Sequence, residues 1–143
     1  MTPRETIFVT LFDLVASVTG LKSYSRRLKH WGDVPHTDQP ALFLVQRTES
    51  AKITTKLPTV WTFRADLVLY GHNSGQDSVA PMSSLNPIVD EIVAKLLPAG
   101  GVEEQTLGGL VERCRIEGEI LTDEGALGDQ AIVVIPLTLF VPQ

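Results

Sequence analysis

The sequence predicts an α+β fold in which a mainly antiparallel sheet of about five strands has two helices packed on it. Two segments carry apolar residues at helical spacing, and several shorter runs alternate between apolar and polar residues as strands do. The elements follow the order α-β-β-β-α-β-β, which is typical of this class. The 143 residues, 43% of them hydrophobic and 20% charged, suit a single globular domain over 1–143.

The first helix is predicted near the N-terminus. Thr2 to Glu5 read T-x-x-E, a capping box with Pro3 at the first helical position. The residues that follow form one wide apolar stripe at helical spacing: Ile7, Phe8, Leu11, Phe12, Leu14, Val15 and Val18. This stripe faces either a sheet or a neighbouring subunit, and Gly20 favours an end of the helix there.

Three strands are predicted between the helices. Residues 21–31 alternate in part and indicate a short strand, and 32–40 is a turn-rich loop with two prolines. Residues 41–48 form a compact apolar strand, and 49–59 are polar and form a loop or a flexible hairpin tip. Residues 60–72 form the most regular strand of the chain, antiparallel to 41–48. In that strand one face carries Trp61, Phe63, Ala65, Leu67 and Leu69, and the other carries Thr62, Arg64, Asp66, Val68 and Tyr70.

The second helix is predicted over 83–98. Ser83 or Ser84 caps it, Pro87 lies in the first turn, where a missing N–H is tolerated, and Pro98 ends it. Its apolar residues keep the i, i+3, i+4, i+7 spacing of a helix packed on one side: Leu85, Ile88, Val89, Ile92, Val93, Leu96 and Leu97.

Two further strands, at 110–123 and 130–141, complete the sheet after a glycine-rich loop at 99–109. Pro136 lies inside the second of them. Because proline donates no hydrogen bond to a neighbouring strand, it predicts an edge strand or a bulge at that position.

The composition limits the classes of partner. The net charge is −5, so free nucleic acid is not expected as a tight partner, because duplex binding needs an excess of Lys and Arg. A lone cysteine, Cys114, forms no intramolecular disulfide and no thiolate metal cluster. No apolar run reaches the roughly 18 residues of a membrane span. Glu5 and Asp13 interrupt the apolar N-terminal segment, so we expect a soluble chain that is not exported and has no membrane partner.

The sequence carries no motif for a cofactor or for catalysis. It lacks the G-x-x-x-x-G-K-[ST] and G-x-G-x-x-G patterns, and His30, His36 and His72 lie in neither a G-x-S-x-G nor an H-E-x-x-H context. Cys114 lies in an alternating apolar run, which favours a buried, inert thiol over a nucleophile. We therefore expect no catalytic residue, no metal site and no cofactor, and do not expect an enzyme.

The segment 116–129, IEGEILTDEGALGD, is the one place that argues against this expectation. It concentrates five carboxylates within thirteen residues: Glu117, Glu119, Asp123, Glu124 and Asp129. A metal-dependent hydrolase would use Glu117, Glu119, Asp123 and Asp129. Such a site needs carboxylates that converge from several backbone points. The alternative is two acidic strand ends and the turn between them.

Strand alternation favours the alternative without a metal. It predicts a core face made of Cys114, Ile116, Gly118 and Ile120. It predicts a charged face made of Arg113, Arg115, Glu117 and Glu119. The two arginines compete for the carboxylates and repel a cation, and Asp123 and Glu124 belong to a turn. The charged face, together with Asp123 and Glu124, is therefore a candidate to meet a neighbouring subunit or to line a channel.

A basic cluster stands out in this acidic chain. It consists of Arg26, Arg27, Lys29 and His30, followed by Trp31. A local basic patch suggests a complementary protein surface as its partner, and base readout of nucleic acid fits the net charge less well. Lys52 and Lys56, in the loop predicted at 49–59, are further candidates for partner binding.

Four segments that span nearly the whole chain resemble one family. They read SRRLKHWGDVPHTDQPALFLVQ, WTFRADLVLYGH, SSLNPIVDEIVAKL and QTLGGLVERCRIEGEILTDEGALGDQAIVVIPLTLFV. The family is the tail terminators of long-tailed bacteriophages, often described as minor tail or tail-completion proteins. The most specific parts are RRLKHWGDVP, QPALFLVQ and EGEILTDEGALGDQA, and none of them is a catalytic signature.

The resemblance implies a small α+β structural protein without enzymatic activity. Members of this family assemble as a homohexameric ring on the last ring of tail-tube protein, stop tube polymerisation and present a surface to the head or neck. Genomic DNA passes through the lumen of the ring. The implied location is the tail–neck junction of the virion, reached from the host cytoplasm during assembly. A head-completion or neck adaptor protein of the phage connector is the alternative.

The physical properties of the chain are compatible with that role. A channel through which DNA slides should not hold the DNA, and an acidic protein meets this requirement because phosphate is attracted by Lys and Arg. A ring needs two different patches on each subunit that meet head to tail. The loops predicted at 49–59, 73–82 and 99–109 are candidates to become ordered on contact with the tube or the neck.

Overall fold

The computed structural model describes residues 1–73, 79–97 and 104–143. Within these residues two helices pack against one face of an open six-stranded sheet. The helices are α1 (Arg4–Ala16) and α2 (Asn86–Leu96). The strands are β1 (Ser23–Ser25), β2 (Ala41–Lys52), β3 (Val60–His72), β4 (Arg113–Ile116), β5 (Leu121–Leu127) and β6 (Gln130–Pro142).

The sheet confirms the α+β class and the mainly antiparallel arrangement. Its order is β1-β2-β3-β6-β4, and β5 also pairs with β6. β1 runs parallel to β2, and the other described pairs are antiparallel. The prediction of five strands was wrong, because the described residues contain six, in the order α-β-β-β-α-β-β-β. Parts of the loops predicted at 73–82 and 99–109, and the helix end predicted at Pro98, fall in 74–78 and 98–103, outside the described residues.

The main core lies between the helices and one face of the sheet. On β3 the predicted alternation is confirmed, since every second residue is at most 1% exposed there: Phe63, Ala65, Leu67 and Leu69. The apolar stripe of α1 supplies Ile7, Phe8, Leu11 and Val15 to the same core. Phe8 stacks on Phe63 with the ring centroids 6.0 Å apart. The stripe therefore packs on the sheet, which was one of its two predicted positions.

The opposite face of the sheet carries a second, smaller core. It consists of Val34, Ala41, Phe43, Val68 and Tyr70, with Trp31 packed against it. Residues 29–40, which we call the covering segment, lie over this core and include two short 3-10 helices, Trp31–Asp33 and His36–Asp38. The Tyr70 hydroxyl donates a hydrogen bond to the carbonyl oxygen of Lys29 (2.7 Å), which fastens the start of that segment to β3.

The capping box predicted for α1 was wrong. Pro3 occupies the N-cap position, so Glu5 lies one position too early in the helix to reach back as a capping-box glutamate does. The carboxylate of Glu5 instead accepts two hydrogen bonds from the guanidinium of Arg26, both 2.9 Å long. An ion pair across 21 residues has thus replaced the local capping interaction.

The start predicted for the second helix was also wrong. A 3-10 helix, Pro81–Ser84, precedes α2, and the N-cap position is Leu85, a fully buried core residue. Pro87 lies in the first turn, as predicted. Neither Ser83 nor Ser84 caps α2, and the buried hydroxyl of Ser84 has no hydrogen-bond partner among the described residues.

Two strand lengths differ from the prediction. The strand expected over 21–31 is reduced to Ser23–Ser25, because Arg26 turns away to pair with Glu5 and the chain then enters the covering segment. β2 continues to Lys52, four residues beyond the predicted end, because its backbone pairs with β3 as far as Val60. Backbone pairing does not require apolar side chains, so the polar residues after position 48 extend the strand.

The strand predicted over 110–123 is interrupted. Ile116 of β4 lies opposite Leu137 of β6, and Leu121 of β5 lies opposite Val134, so five residue steps on one side face three on the other. Residues 117–120 therefore form a bulge with two extra residues. Gly118 has a φ of +114° in this bulge, and an added Cβ there would lie 3.3 Å from the ring of Pro136.

The bulge explains the position of Pro136, for which an edge strand or a bulge was predicted. The edge-strand alternative was wrong, since β6 pairs with β3 on one side and with β4 and β5 on the other. Its register with β3 is unbroken, so the bulge lies on the neighbouring strand and not on β6. The Pro136 carbonyl accepts a hydrogen bond from the Glu117 N–H (3.2 Å), so the proline nitrogen also faces the interruption between β4 and β5.

Candidate assembly surfaces

The five carboxylates of the segment 116–129 do not converge on one site. Glu117 forms an ion pair with Arg115 at 3.4 Å, and Glu119 is exposed in the bulge. Asp123 lies on β5 opposite Ile132, and Asp129 lies in the turn before β6. No group of three or more His, Cys, Asp or Glu side chains suited to a metal ion occurs within residues 1–73, 79–97 and 104–143.

Glu124 has a structural role that the sequence did not reveal. It was predicted, with Asp123, to lie in a turn, but both residues lie in β5, so that prediction was wrong. The carboxylate of Glu124 accepts a hydrogen bond from the backbone N–H of Met82 (2.8 Å), which ties β5 to the 3-10 helix that leads into α2. The two residues are 42 positions apart, so no local pattern could have indicated the contact.

The predicted charged face forms around an aromatic ring. Arg113 and Arg115 place their guanidinium carbons 4.2 Å and 5.4 Å from the centroid of Phe140, which is the β6 residue opposite Arg113. Cation–π contact of this kind lets a guanidinium lie on the sheet surface without burying an unpaired charge in the core. Arg115 also carries the pair with Glu117, so these three charged residues share one face, as alternation predicted. Sequence reasoning missed Phe140, because the pairing of β4 with β6 is not a local pattern.

The predicted core face is confirmed for the residues before the bulge but not for those within it. Cys114 is fully buried and Ile116 is partly buried against the main core. Gly118 and Ile120 were predicted on the same face, and this was wrong: Gly118 is exposed and Ile120 is 38% exposed. Both residues lie in the bulge, where the chain leaves the plane of the ladder.

The burial of Cys114 makes a testable prediction about its chemistry. Burial raises the pKa of its thiol to about 12, so at pH 8 only about one molecule in 10⁴ carries the thiolate. We expect a thiol reagent to label the native protein at pH 8 at least about a hundredfold more slowly than the protein unfolded in urea. Equal labelling rates in the two states would show that the thiol is accessible and contradict its place in the core.

The basic cluster holds the covering segment in place. Arg26 pairs with Glu5 and donates to the side chain of Gln46 (3.0 Å), while Nδ1 of His30 accepts the backbone N–H of Gly32 (3.0 Å). The His30 ring lies 5.1 Å from the Trp31 ring, and Trp31 packs on the second core. The Lys29 carbonyl accepts from Tyr70, and Arg27 and Lys29 line an open groove together with Leu28 and Asp33. Arg27, Lys29 and His30 are exposed, whereas Arg26 is partly buried.

The β2–β3 hairpin extends beyond the core as an arm. We define the hairpin arm as residues 46–60; all of 46–58 are exposed. Its tip carries two apolar side chains with large exposed fractions, Ile53 at 80% and Leu57 at 64%, beside Lys52 and Lys56. At the base of the arm Arg4 of α1 donates to both carboxylate oxygens of Glu49 at 2.9 Å, which fixes the arm to the helix layer. The segment 49–59 was predicted as a loop or a flexible hairpin tip. Residues 49–52 belong to β2, which is a correction, and 53–59 form the turn at the tip of the hairpin. Of the two lysines that are candidates for partner binding, Lys52 ends β2 and Lys56 lies in this turn.

Comparison with known proteins found no match. No protein-family model matches the sequence, and no curated protein sequence matches it. Among the described residues, no helix has both the length and the apolar character that crossing a membrane requires.

Proposed function

We propose that this chain is a structural phage protein of the tail-terminator type, without enzymatic activity. In this role copies of the chain form a homohexameric ring on the last ring of tail-tube protein. The ring stops tube polymerisation and offers its far side to a head-completion or neck protein. Genomic DNA is a partner only in transit through the lumen. The protein acts at the tail–neck junction of the virion and is assembled in the host cytoplasm.

The hairpin arm is the observation that supports this proposal most directly. Ile53 and Leu57 are the two most exposed large apolar side chains among the described residues. Apolar groups held away from the core on a projecting element are typical of a surface that another protein covers. The ladder of β2 with β3 ends at Lys52 and Val60, so Ile53 and Leu57 lie in the turn that these two paired strands hold away from the core.

The acidic net charge of the chain is a second observation that supports the proposal. The chain carries 17 acidic and 12 basic residues, and several arginines are neutralised within the subunit by Glu5, Glu49, Asp66 and Glu117. A ring built from such subunits has a lumen that attracts phosphate weakly, which suits passage of DNA without retention.

The test is the effect of the purified chain on growing tail tubes. We expect added wild-type chain to stop tube lengthening, seen by light scattering and by electron microscopy of tube ends. Leu57→Asp removes the apolar tip of the arm and is expected to weaken capping, while the melting temperature stays unchanged because the side chain is 64% exposed. Val9→Asp, at an exposed apolar residue on α1, is the matched control and should cap normally.

Two outcomes decide against this proposal. A chain that stays monomeric and neither binds tubes nor limits their length contradicts the tail-terminator role. Density for the chain on the portal, rather than on the last tube ring, would support the head-completion or neck adaptor alternative.

A further inference from the structure

Two surface patches on this chain carry opposite charge. The arm patch, at the tip of the hairpin arm, consists of Lys52, Ile53, Lys56 and Leu57. The bulge patch, at the junction of β4 and β5, consists of Glu119, Ile120, Leu121 and Asp123. Each patch has two charged and two apolar residues, and Ile120 and Leu121 are 38% and 57% exposed.

The charges of both patches are available to a partner. The ion pairs within residues 1–73, 79–97 and 104–143 include none of the four charged patch residues. Two other carboxylates in these regions already have partners: Glu49 of the arm pairs with Arg4, and Glu117 of the bulge pairs with Arg115. The arm patch is therefore positive and the bulge patch negative, and each combines its charge with exposed apolar surface.

The two patches of one chain cannot reach each other. The base of the arm is level with Pro142, since Val60 pairs with that residue, and Leu121 is level with Val134. Eight residue steps along β6 separate these levels, which corresponds to about 27 Å at the rise of an antiparallel strand. The arm points further away from the bulge, and β3 and β6 lie between β2 and β5 in the sheet. The two patches can therefore meet only when they belong to different molecules.

We propose that the arm patch of one copy packs on the bulge patch of the next copy, so that Lys52 and Lys56 face Glu119 and Asp123 across apolar contacts of Ile53 and Leu57 with Ile120 and Leu121. This proposal rests on the proposed function, because it assigns the subunit contact of the ring. Two different patches that meet head to tail form a heterologous interface, which generates a closed ring when the rotation between copies allows closure. Opposite charges on the two patches also fix the register and disfavour arm-to-arm pairing.

Charge reversal tests this contact. Lys52→Glu/Lys56→Glu and Glu119→Lys/Asp123→Lys each place like charges across the interface, so each is expected to weaken self-association at least about tenfold. A chain with all four substitutions carries exchanged charges and is expected to associate again. An equal mixture of the two double variants should also recover, because each arm then finds an opposite charge on the other variant. Sedimentation velocity over a concentration series measures all four samples.

The control variant distinguishes an effect of net charge from an effect of charge at the contact. Lys22→Glu/Lys95→Glu makes the same change in net charge as the arm variant, at positions outside both patches, and is expected to associate like wild type. All four substituted patch residues lie at the surface, so an unchanged melting temperature confirms that each variant is folded.

The result that overturns the contact is unchanged association in both double variants, or no recovery in the fourfold variant and the mixture. A wild-type chain that remains monomeric both in solution and on tube ends also overturns it. Tube capping distinguishes the two proposals. Capping with no response to charge reversal refutes the contact alone, whereas the expected exchange behaviour without capping refutes the tail-terminator role alone.

Discussion

Gly71→Ala is expected to lower the free energy of unfolding by about 1–3 kcal/mol, although the change adds a single methyl group. Gly71 lies near the end of β3, where an added Cβ would be 2.7 Å from Cγ and 2.8 Å from Cδ2 of Leu85. Leu85 is fully buried at the start of α2, so its side chain has no free space into which to move. Urea unfolding followed by circular dichroism measures the loss.

A double-mutant cycle with Leu85 isolates the cause. Leu85→Ala alone leaves a cavity and is expected to cost about 2–5 kcal/mol. In the double variant the new methyl group at position 71 enters part of that cavity, so the total should be smaller than the sum of the two single losses. Additive losses would show that contact with Leu85 is not the reason for glycine at this position.

Gly71 also shows where prediction from the sequence reaches its limit. The strand at 60–72 and its two faces were predicted correctly, because alternation is a local pattern and its period is the period of the strand itself. Nothing in that pattern distinguishes Gly71 from an ordinary strand residue. The need for glycine arises only when α2 returns to the sheet fourteen residues later and places Leu85 against the backbone.

The prediction of one continuous strand over 110–123 failed for a different reason. Two extra residues in the bulge are an even number, so the same faces continue on both sides of it: Ile116 and Thr122 lie opposite the core residues Leu137 and Val133. Alternation therefore runs on through 110–123 as though the strand were continuous. The bulge is visible only in the register with β6, which a single sequence does not give.

The same distinction between local patterns and long-range contacts applies to the candidate surfaces. Alternation correctly grouped Arg113, Arg115 and Glu117 on one face. Lys52 and Lys56, which were predicted as candidates for partner binding, are exposed. Contacts across long sequence separations then decided which charges are left for a partner. Arg26 forms an ion pair with Glu5, and the carboxylate of Glu124 accepts a hydrogen bond from the Met82 N–H. Glu119 and Asp123 have no ion pair within the described residues.

Gln130→Glu is expected to be the most damaging conservative substitution at a polar site, with a loss of about 3–5 kcal/mol at neutral pH. Gln130 is 2% exposed, and its amide nitrogen donates to Oε1 of Gln39 (2.9 Å) and to the carbonyl of Gly71 (3.1 Å). Gln39 in turn donates to the carbonyl of Val34 (3.1 Å), so the pair joins the covering segment to β3 and β6. A carboxylate of the same shape has no proton to donate and would face these oxygen atoms as a buried charge.

The dependence on pH identifies that charge as the cause. Burial and the surrounding oxygens favour the protonated form of the introduced carboxyl group, so its pKa in the folded state rises above the unfolded value of about 4.3. Below about pH 3 both states are protonated, and the carboxyl proton replaces one of the lost hydrogen bonds. As the pH rises through 4.3 and above, the variant should lose stability relative to wild type by up to about 1.4 kcal/mol per pH unit, until the folded pKa is passed.

Gln130→Met, which removes the hydrogen bonds without adding a titrating group, should show a constant loss over the same range in urea unfolding. A loss from Gln130→Glu that is equally constant would mean that the lost hydrogen bonds, and not a buried charge, account for its effect.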